Sequence, residues 1–225
     1  MVSLKNCFIT GGGSGLGKEL ALLYGQKGFH VHLAGRHTDK LAAAKKEIEA
    51  AGGKATAHPL DVQQPEAIEK LAASLQKDNQ KIDLLINNAG VGMFGPFPDV
   101  TMADMETMFA VNVYAPILLT KAFLPLLGSK GTVINIISTA GLRGKKHESL
   151  YCASKFALRG FTESLQKEYE AGGPRFVAAY MGGMNTPFWD HSDYVKNPAS
   201  LPLPKEIAVR IVQEAEEKSE IIIET

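Results

Sequence analysis

Residues 138–155 read STAGLRGKKHESLYCASK: a serine, Ser138, then Tyr151 thirteen positions on, then Lys155 four further. From Glu148 onward the chain is apolar at helical spacing with no internal proline, which predicts a helix. Positions i and i+4 share a helix face, so Tyr151 and Lys155 are expected side by side. The preceding GTVINIIS is short, apolar and rich in β-branched residues, the pattern of a buried strand, and Ser138 falls at its carboxyl end. Such a trio permits proton transfer at a carbonyl. A free phenol titrates at about 10, and a neighbouring cation stabilises the phenolate. Bringing the value to about 7 takes roughly 4 kcal/mol. Tyr151 would then exchange a proton with a substrate oxygen near neutral pH. Ser138 would donate a hydrogen bond to that oxygen as its charge develops. Taken alone, Tyr-x-x-x-Lys is also an ordinary helix pair.

The elements that must position these groups alternate in type. Strand-like CFIT, HVHLAGR, KATAHPLDV, IDLLINNAG, GTVINIIS, RFVAAYMGG and EIIIET are separated by helix-like stretches. GLGKELALLYGQKG ends at Gly28, DKLAAAKKEIEAAGG is stopped by Gly52 and Gly53, and PEAIEKLAASLQKD opens on Pro65. Residues 100–127 predict one long helix, with Pro116 as a kink and Pro125 as its end. KEIAVRIVQEAEEKS is the last helix. This alternation predicts an α/β, doubly wound fold: a mostly parallel, seven-stranded sheet with helices on both faces. Crossovers should be right-handed, and ligands should bind beyond the carboxyl ends of the strands where strand order reverses. Residues 1–225 are expected to form a single domain, with the looser, proline-containing stretch 186–204 as a substrate loop.

Composition narrows the function classes. With 225 residues, 45% of them hydrophobic, the chain can bury roughly 70% of its surface without staples. Lys plus Arg equals Asp plus Glu at 24 each, so no electrostatic footprint points to nucleic acid or to an anionic membrane. Cys7 and Cys152 are expected to be reduced, small apolar side chains rather than a disulfide framework. The opening MVSLKNCFIT has one Lys and too short an apolar run for a signal peptide, and no apolar run approaches the ~20 residues of a membrane span. A cytoplasmic protein is the expectation.

The first strand–helix turn, TGGGSGLG, places Gly11, Gly13, Ser14, Gly15, Leu16 and Gly17 after a strand and at the opening of a helix. Glycines there let backbone approach a pyrophosphate, and the helix N-terminus offers it free amides and a positive dipole end. An NAD site needs an acid about 20 residues further on for the ribose 2′-OH. That place reads Ala34-Gly35-Arg36. Arg36 suits a 2′-phosphate, with His37 or Lys40 adding charge, so NADP(H) is favoured over NAD(H). The competing reading leaves Arg36 solvated and lets Asp39 reach the ribose. Asp61 either accepts from an adenine amino group or caps the helix begun at Pro65. Asn87 and Asn88 bind neighbouring strand ends or the cofactor. Asn112, inside a long apolar helix, must bond nearby backbone or hold a water. Thr186 donates to a nicotinamide carboxamide or forms a plain turn.

Together these residues resemble the short-chain dehydrogenase/reductase family in its shorter, single-domain Rossmann branch. The resemblance rests on T-G-x-x-x-G-x-G (Thr10 to Gly17), N-N-A-G (Asn87 to Gly90), the helix Asn112, Ser138, and Y-x-x-x-K (Tyr151, Lys155). These run in the family's order over essentially the whole chain. The resemblance implies hydride transfer between NADP(H) and a carbonyl/alcohol carbon, with Tyr151 as general acid/base. Lys155 would hold the nicotinamide ribose and lower the Tyr151 pKa, Ser138 would orient the carbonyl, and Asn112 would hold a water relaying protons to Lys155. Asp61 and Val62 would flank the adenine, Asn88, Ala89 and Gly90 the ribose, and Gly182 and Thr186 the nicotinamide. Two departures stand out: Met181-Gly182 replaces the usual Pro-Gly, and the sequence stops at Thr225 straight after the last strand. The pocket would then come from residues 91–97, 139–147 and 187–203, with Met93, Phe94, Phe97, Leu142, Met184, Phe188 and Trp189 favouring an apolar or aromatic carbonyl substrate. Lys145, Lys146 and His147 would meet an acidic substrate group or solvent. The apolar excess of helices 101–128 and 149–172 suggests a homodimer or homotetramer.

Overall fold

The computed structural model describes residues 4–190, 192 and 194–224. His191 and Asp193 of the expected substrate loop, Thr225 of the expected last strand and the opening Met1–Ser3 lie outside the described residues. Seven strands, β1 (Asn6–Thr10), β2 (His30–Gly35), β3 (Lys54–Pro59), β4 (Leu84–Asn87), β5 (Thr132–Ile136), β6 (Arg175–Met181) and β7 (Glu220–Ile223), form one sheet in the order β3-β2-β1-β4-β5-β6-β7. Every pairing is parallel. The expected doubly wound α/β fold is therefore present, and its strand order reverses between β1 and β4.

Side-chain alternation along the strands builds a core on each side. Cys7 and Ile9 of β1 face one cluster with α1 (Gly15–Gln26), α2 (Thr38–Ala50) and α7 (Pro204–Glu214). Phe8, between them, faces the other cluster with α3 (Pro65–Lys77) and α5 (Ala115–Leu127). The inner strands are buried on both faces, as their near-continuous apolar sequences require. On α6 (Ser149–Glu168) the buried residues include Tyr151, Lys155, Leu158 and Thr162. Their spacing of four, three and four is one helical stripe. The Tyr and Lys thus ride on the face that packs against the sheet.

The run from residue 102 to 127 differs from expectation in two ways. Helix α4 (Met102–Phe109) starts at a capping box, in which the Asp104 amide donates to the Thr101 hydroxyl and the Thr101 amide donates to Asp104. It passes through one π-helical turn at Ala110–Tyr114 before α5. Pro116 follows that turn, so an irregular turn already lies where a proline would disrupt a regular helix. Pro125 does not end the helix; it lies inside α5, which runs to Leu127 and stops at Gly128 with φ +53°. By length and composition alone, Met102–Leu127 is also apolar enough to cross a membrane, contrary to the sequence expectation, although 56% of its most apolar window is buried inside this fold.

Candidate active site

A cleft of about 410 Å³ opens beyond the carboxyl ends of β1 and β4, at the switch point. Its floor is the glycine turn. Gly15 begins α1 with φ +52°, a left-handed conformation that suits glycine. Gly17 does not line the cleft. A Cβ there would come within 2.3 Å of the Gly11 carbonyl oxygen, so its role is to let α1 pack directly on the turn. Ser14 is the N-cap of α1, yet its side chain makes no capping hydrogen bond. The Ser14 side chain thus leaves the first-turn amides of α1 uncapped, and Gly11, Gly13, Ser14, Gly15 and Leu16 all line the cleft.

The far end of the cleft is basic. Exposed Arg36, His37 and Lys40 line it, and Asp39 does not. Asp61 and Val62 line the wall beside them. The Asp61 carboxylate accepts from the Gln63 amide at 3.0 Å. Gln64, not Asp61, is the N-cap of α3, so Asp61 organises the turn before the helix rather than capping it. Asn88 and Ala89 donate their amides to the Thr10 hydroxyl, both at 3.0 Å, and the Asn88 side chain donates to the Thr10 carbonyl at 2.9 Å. These bonds hold the β1 and β4 ends together and leave Asn88, Ala89 and Gly90 along the cleft. Asn87 turns inward, donating to Asn135 at 2.8 Å and to Thr120 at 3.2 Å.

Ser138, Tyr151 and Lys155 meet at the inner end of the cleft, all buried. Ser138 caps a short turn, Thr139–Gly141, by accepting from the Ala140 amide at 3.1 Å. Gly141 lets that turn lie against the α6 backbone, since a Cβ would come within 3.0 Å of the Lys155 carbonyl oxygen. The Lys155 ammonium is 5.6 Å from the centre of the Tyr151 ring and donates to the Ile136 carbonyl at the end of β5, 3.1 Å away.

The electrostatics correct one expectation. Burial pushes the Tyr151 phenol well above its ordinary value; a hydrogen bond with Ser138 opposes this, and the Glu148 carboxylate and Cys152 add to it. Burial likewise pushes the Lys155 ammonium down to about 8. In the ligand-free protein the lysine therefore does not turn the phenol into a phenolate. Desolvation disfavours the charged form of each group, and it outweighs their proximity. At neutral pH this leaves a protonated phenol, which is an acid rather than a base.

Asn112 sits in the π-turn and is 0% exposed, behind the cleft rather than on it. Its carbonyl oxygen accepts from the Val91 amide and its amino group donates to the Val91 carbonyl, each at 2.9 Å, with a further 3.1 Å bond to Ser154. Of the two alternatives the sequence left open, its side chain takes the backbone one and fixes the loop after β4. Thr186 lines the cleft against Gly15 and makes no capping hydrogen bond for the turn it precedes. Gly182 lines it too, its amide tied to the Ile223 carbonyl at 3.0 Å, so Met181 ends β6 in regular pairing.

Of the aromatic and apolar residues expected at the pocket, some line the cleft beside Tyr151 and others do not. Phe94, Met184, Phe188 and Trp189 line the cleft; Met93, Phe97 and Leu142 do not. Phe97 is 72% exposed, and Met93 faces a second, adjoining cleft. Phe94 packs edge-on to Tyr151 at 5.4 Å and is stacked between Trp189 at 5.4 Å and Tyr194 at 4.7 Å. Nothing in the sequence singles out Glu148, yet it is buried and lines the cleft. Its only sequence signal is its place three residues before Tyr151. Lys145 lines the cleft and donates to the Thr139 hydroxyl at 3.0 Å, whereas Lys146 and His147 do not line it.

Comparison with known proteins shows the family. A short chain dehydrogenase family model matches residues 5–195. The chain belongs to the short-chain dehydrogenase/reductase family. Among family members, a ketoacyl reductase, HetN, from Nostoc is 30% identical over 97% of this chain and 78% of its own. A sepiapterin reductase from Chlorobaculum tepidum is 28% identical over 96% and 92%. A metagenomic short-chain oxidoreductase solved with NADP superposes with a TM-score of 0.81, 30% identical over 98% of this chain and 96% of that one. A family member from Burkholderia phymatum solved with NAD superposes with a TM-score of 0.90, 25% identical over 98% and 89%. The family is thus an oxidoreductase family whose members hold either nicotinamide dinucleotide.

Proposed function

We propose that the protein reduces a carbonyl compound with NADPH, or runs the reverse oxidation with NADP⁺. The observation that carries this reading is one cleft with a glycine turn and Arg36 at one end and buried Ser138, Tyr151 and Lys155 at the other. The residues fit a phosphorylated dinucleotide: uncommitted first-turn amides of α1 for the pyrophosphate, and Arg36, His37 and Lys40 for a 2′-phosphate. The absence of Asp39 from the lining favours NADP(H) over NAD(H). Held there, a reduced nicotinamide would supply a hydride for the carbonyl carbon.

The chain's own groups do the rest. Tyr151 gives its phenolic proton to the carbonyl oxygen, and Ser138 donates a hydrogen bond to the same atom. Lys155, largely ammonium below pH of about 8, stabilises the phenolate left behind and holds the ribose hydroxyls. Asn112 fixes Val91 and so the shape of the wall. With its amide committed, a water relaying protons to Lys155 would rest on the Asn112 main-chain carbonyl, whose α-helical partner amide is missing at Pro116. Asp61, Val62, Asn88, Ala89 and Gly90 line the adenosine half, and Gly182 and Thr186 the nicotinamide half. Thr186, Pro187, Phe188, Trp189 and Asp190, the start of the expected substrate loop, line the cleft of what we take to be a single domain. Exposed Met102, Met105, Tyr114 and Phe156 on and around α4 and α6 support a homo-oligomer built on those helices.

The test is NADPH oxidation against a panel of ketones, aldehydes and quinones with the wild type and Tyr151→Phe. The variant should lose at least about 10²-fold in turnover, the scale of a general acid, while still binding NADPH. Wild-type turnover in the variant would remove Tyr151 from the reaction.

A further inference from the structure

We infer that Glu148 reads the substrate, its carboxylate setting the cleft to take a carbonyl compound that carries a positively charged nitrogen. The inference rests on the reading of Tyr151 as the acid at the carbonyl oxygen and adds a second anchor to it. Glu148 is only 6% exposed, and it lines the same cleft as Tyr151. It stands one helical turn before Tyr151, so the two side chains leave the backbone ~5–6 Å apart. A ketone carbon and a cationic nitrogen separated by a few bonds span that interval.

A structural duty does not account for this carboxylate. It immediately precedes α6, but its side chain makes no capping bond; the main-chain carbonyl takes the Cys152 amide at 2.7 Å. Among the described residues no lysine, arginine or histidine forms an ion pair with it. Lys145, the cation of its own loop that also lines the cleft, donates to Thr139 instead. The side-chain donor it does have is the Tyr194 phenol, 3.1 Å from one carboxylate oxygen. A cationic nitrogen in the cleft would give this carboxylate the charged partner that the described residues do not provide. The neighbouring walls suit the same guest. Phe94, stacked on Tyr194, packs beside the Tyr151 ring, and Phe188 lies 6.0 Å from that ring. Aromatic faces beside a carboxylate attract a cationic nitrogen through their quadrupoles.

The experiment compares a permanently charged N,N-dimethylpiperidinone cation with its uncharged carbon analogue, dimethylcyclohexanone, as NADPH-dependent substrates. The readout is the ratio of their kcat/KM values in the wild type, Glu148→Gln and Glu148→Asp. Using the ratio cancels any effect of Glu148 on the Tyr151 proton, which both substrates share. The wild type should favour the cation by about tenfold or more. Glu148→Gln should bring the ratio to about one, and Glu148→Asp should keep it above that of Glu148→Gln. A wild-type ratio at or below one, or a ratio unmoved in Glu148→Gln, overturns the inference. If neither ketone is reduced, the wider carbonyl panel with wild type and Tyr151→Phe judges the proposed reaction. Calorimetric binding of the cation to NADPH-loaded wild type and Glu148→Gln then decides this inference separately: tighter binding to the wild type supports it, and equal binding overturns it.

Discussion

Lys155 should cost the ligand-free protein stability, and removing its charge should return some of it. Burial lowers its pKa from 10.5 to about 8. At about 1.4 kcal/mol per unit that is roughly 3 kcal/mol favouring the neutral amine in the folded state. Below about pH 8 the lysine is charged both folded and unfolded, so the whole penalty is present. Between about 8 and 10.5 the folded protein releases the proton while the unfolded chain keeps it, and stability rises with pH. Lys155→Met fills similar space without charge, but it strips the Ile136 carbonyl of its 3.1 Å donor. That loss takes back about 1 kcal/mol, leaving a gain of about 2 kcal/mol at pH 7. For a chain of this size the gain corresponds to roughly 4–8 °C in Tm. Thermal and urea melts of the ligand-free wild type and variant, run in steps from pH 7 to pH 10.5, measure it. The difference should be largest from pH 7 to about 8, then shrink and change sign before pH 10.5, where only the lost Ile136 bond remains, while the variant has lost its turnover. A variant less stable than wild type at pH 7, or a difference that does not depend on pH, would refute the reasoning that desolvation of this ammonium dominates.

Arg36→Ala should weaken NADPH by roughly 10–100-fold, the value of a charge-assisted bond, and NADH little; equal losses in titrations of the two would show that Arg36 acts only as a general surface charge. On β2 and β3, His32 and His58 share a 2.9 Å hydrogen bond, His32 Nε2 has no partner among the described residues, and burial drives the His32 pKa down to about 3. Since the unfolded chain binds that proton first, stability should fall as pH drops below about 6.5, and His32→Leu should flatten that part of a urea-stability curve; an unchanged slope would place the acid sensitivity elsewhere.

The fold was legible because its signals were local and repeated. Strands short and apolar enough to be buried on both faces, alternating with helical stretches, leave few arrangements other than a parallel sheet covered on both sides. The glycine turn and the Tyr–Lys spacing were legible for a related reason: each fixes a geometry within a few residues, and the structure places Ser138, Tyr151 and Lys155 in one cleft. What was not legible depends on contacts far apart in sequence. Asn112 could be seen to need partners, but only packing could show that Val91, twenty-one positions away, supplies them. Pro125 reads as a helix end by local rules, yet it is tolerated where tertiary packing carries α5 past it. Phe97 and Phe94 look equivalent in sequence, and only the loop path sends one into solvent and the other against Tyr151.

The protonation states illustrate the same division most clearly. From sequence, an amine beside a phenol argues for a lowered phenol pKa, because a Coulomb term follows from spacing alone. Desolvation does not follow from spacing; it is set by every residue packed around the pair. Here it pushes both groups towards neutrality, and Glu148, which the sequence did not flag, adds a negative charge on the phenol's side. Under the proposed reaction, the resting site would be loaded for donating a proton, the state that reduction would use and oxidation would first have to undo. Any factor that brings positive charge into the cleft, whether a cationic substrate at Glu148 or an oxidised nicotinamide, acts on the phenol in the opposite sense to burial. On the proposed reaction, the direction favoured would in that way be tied to the charge of what the cleft binds.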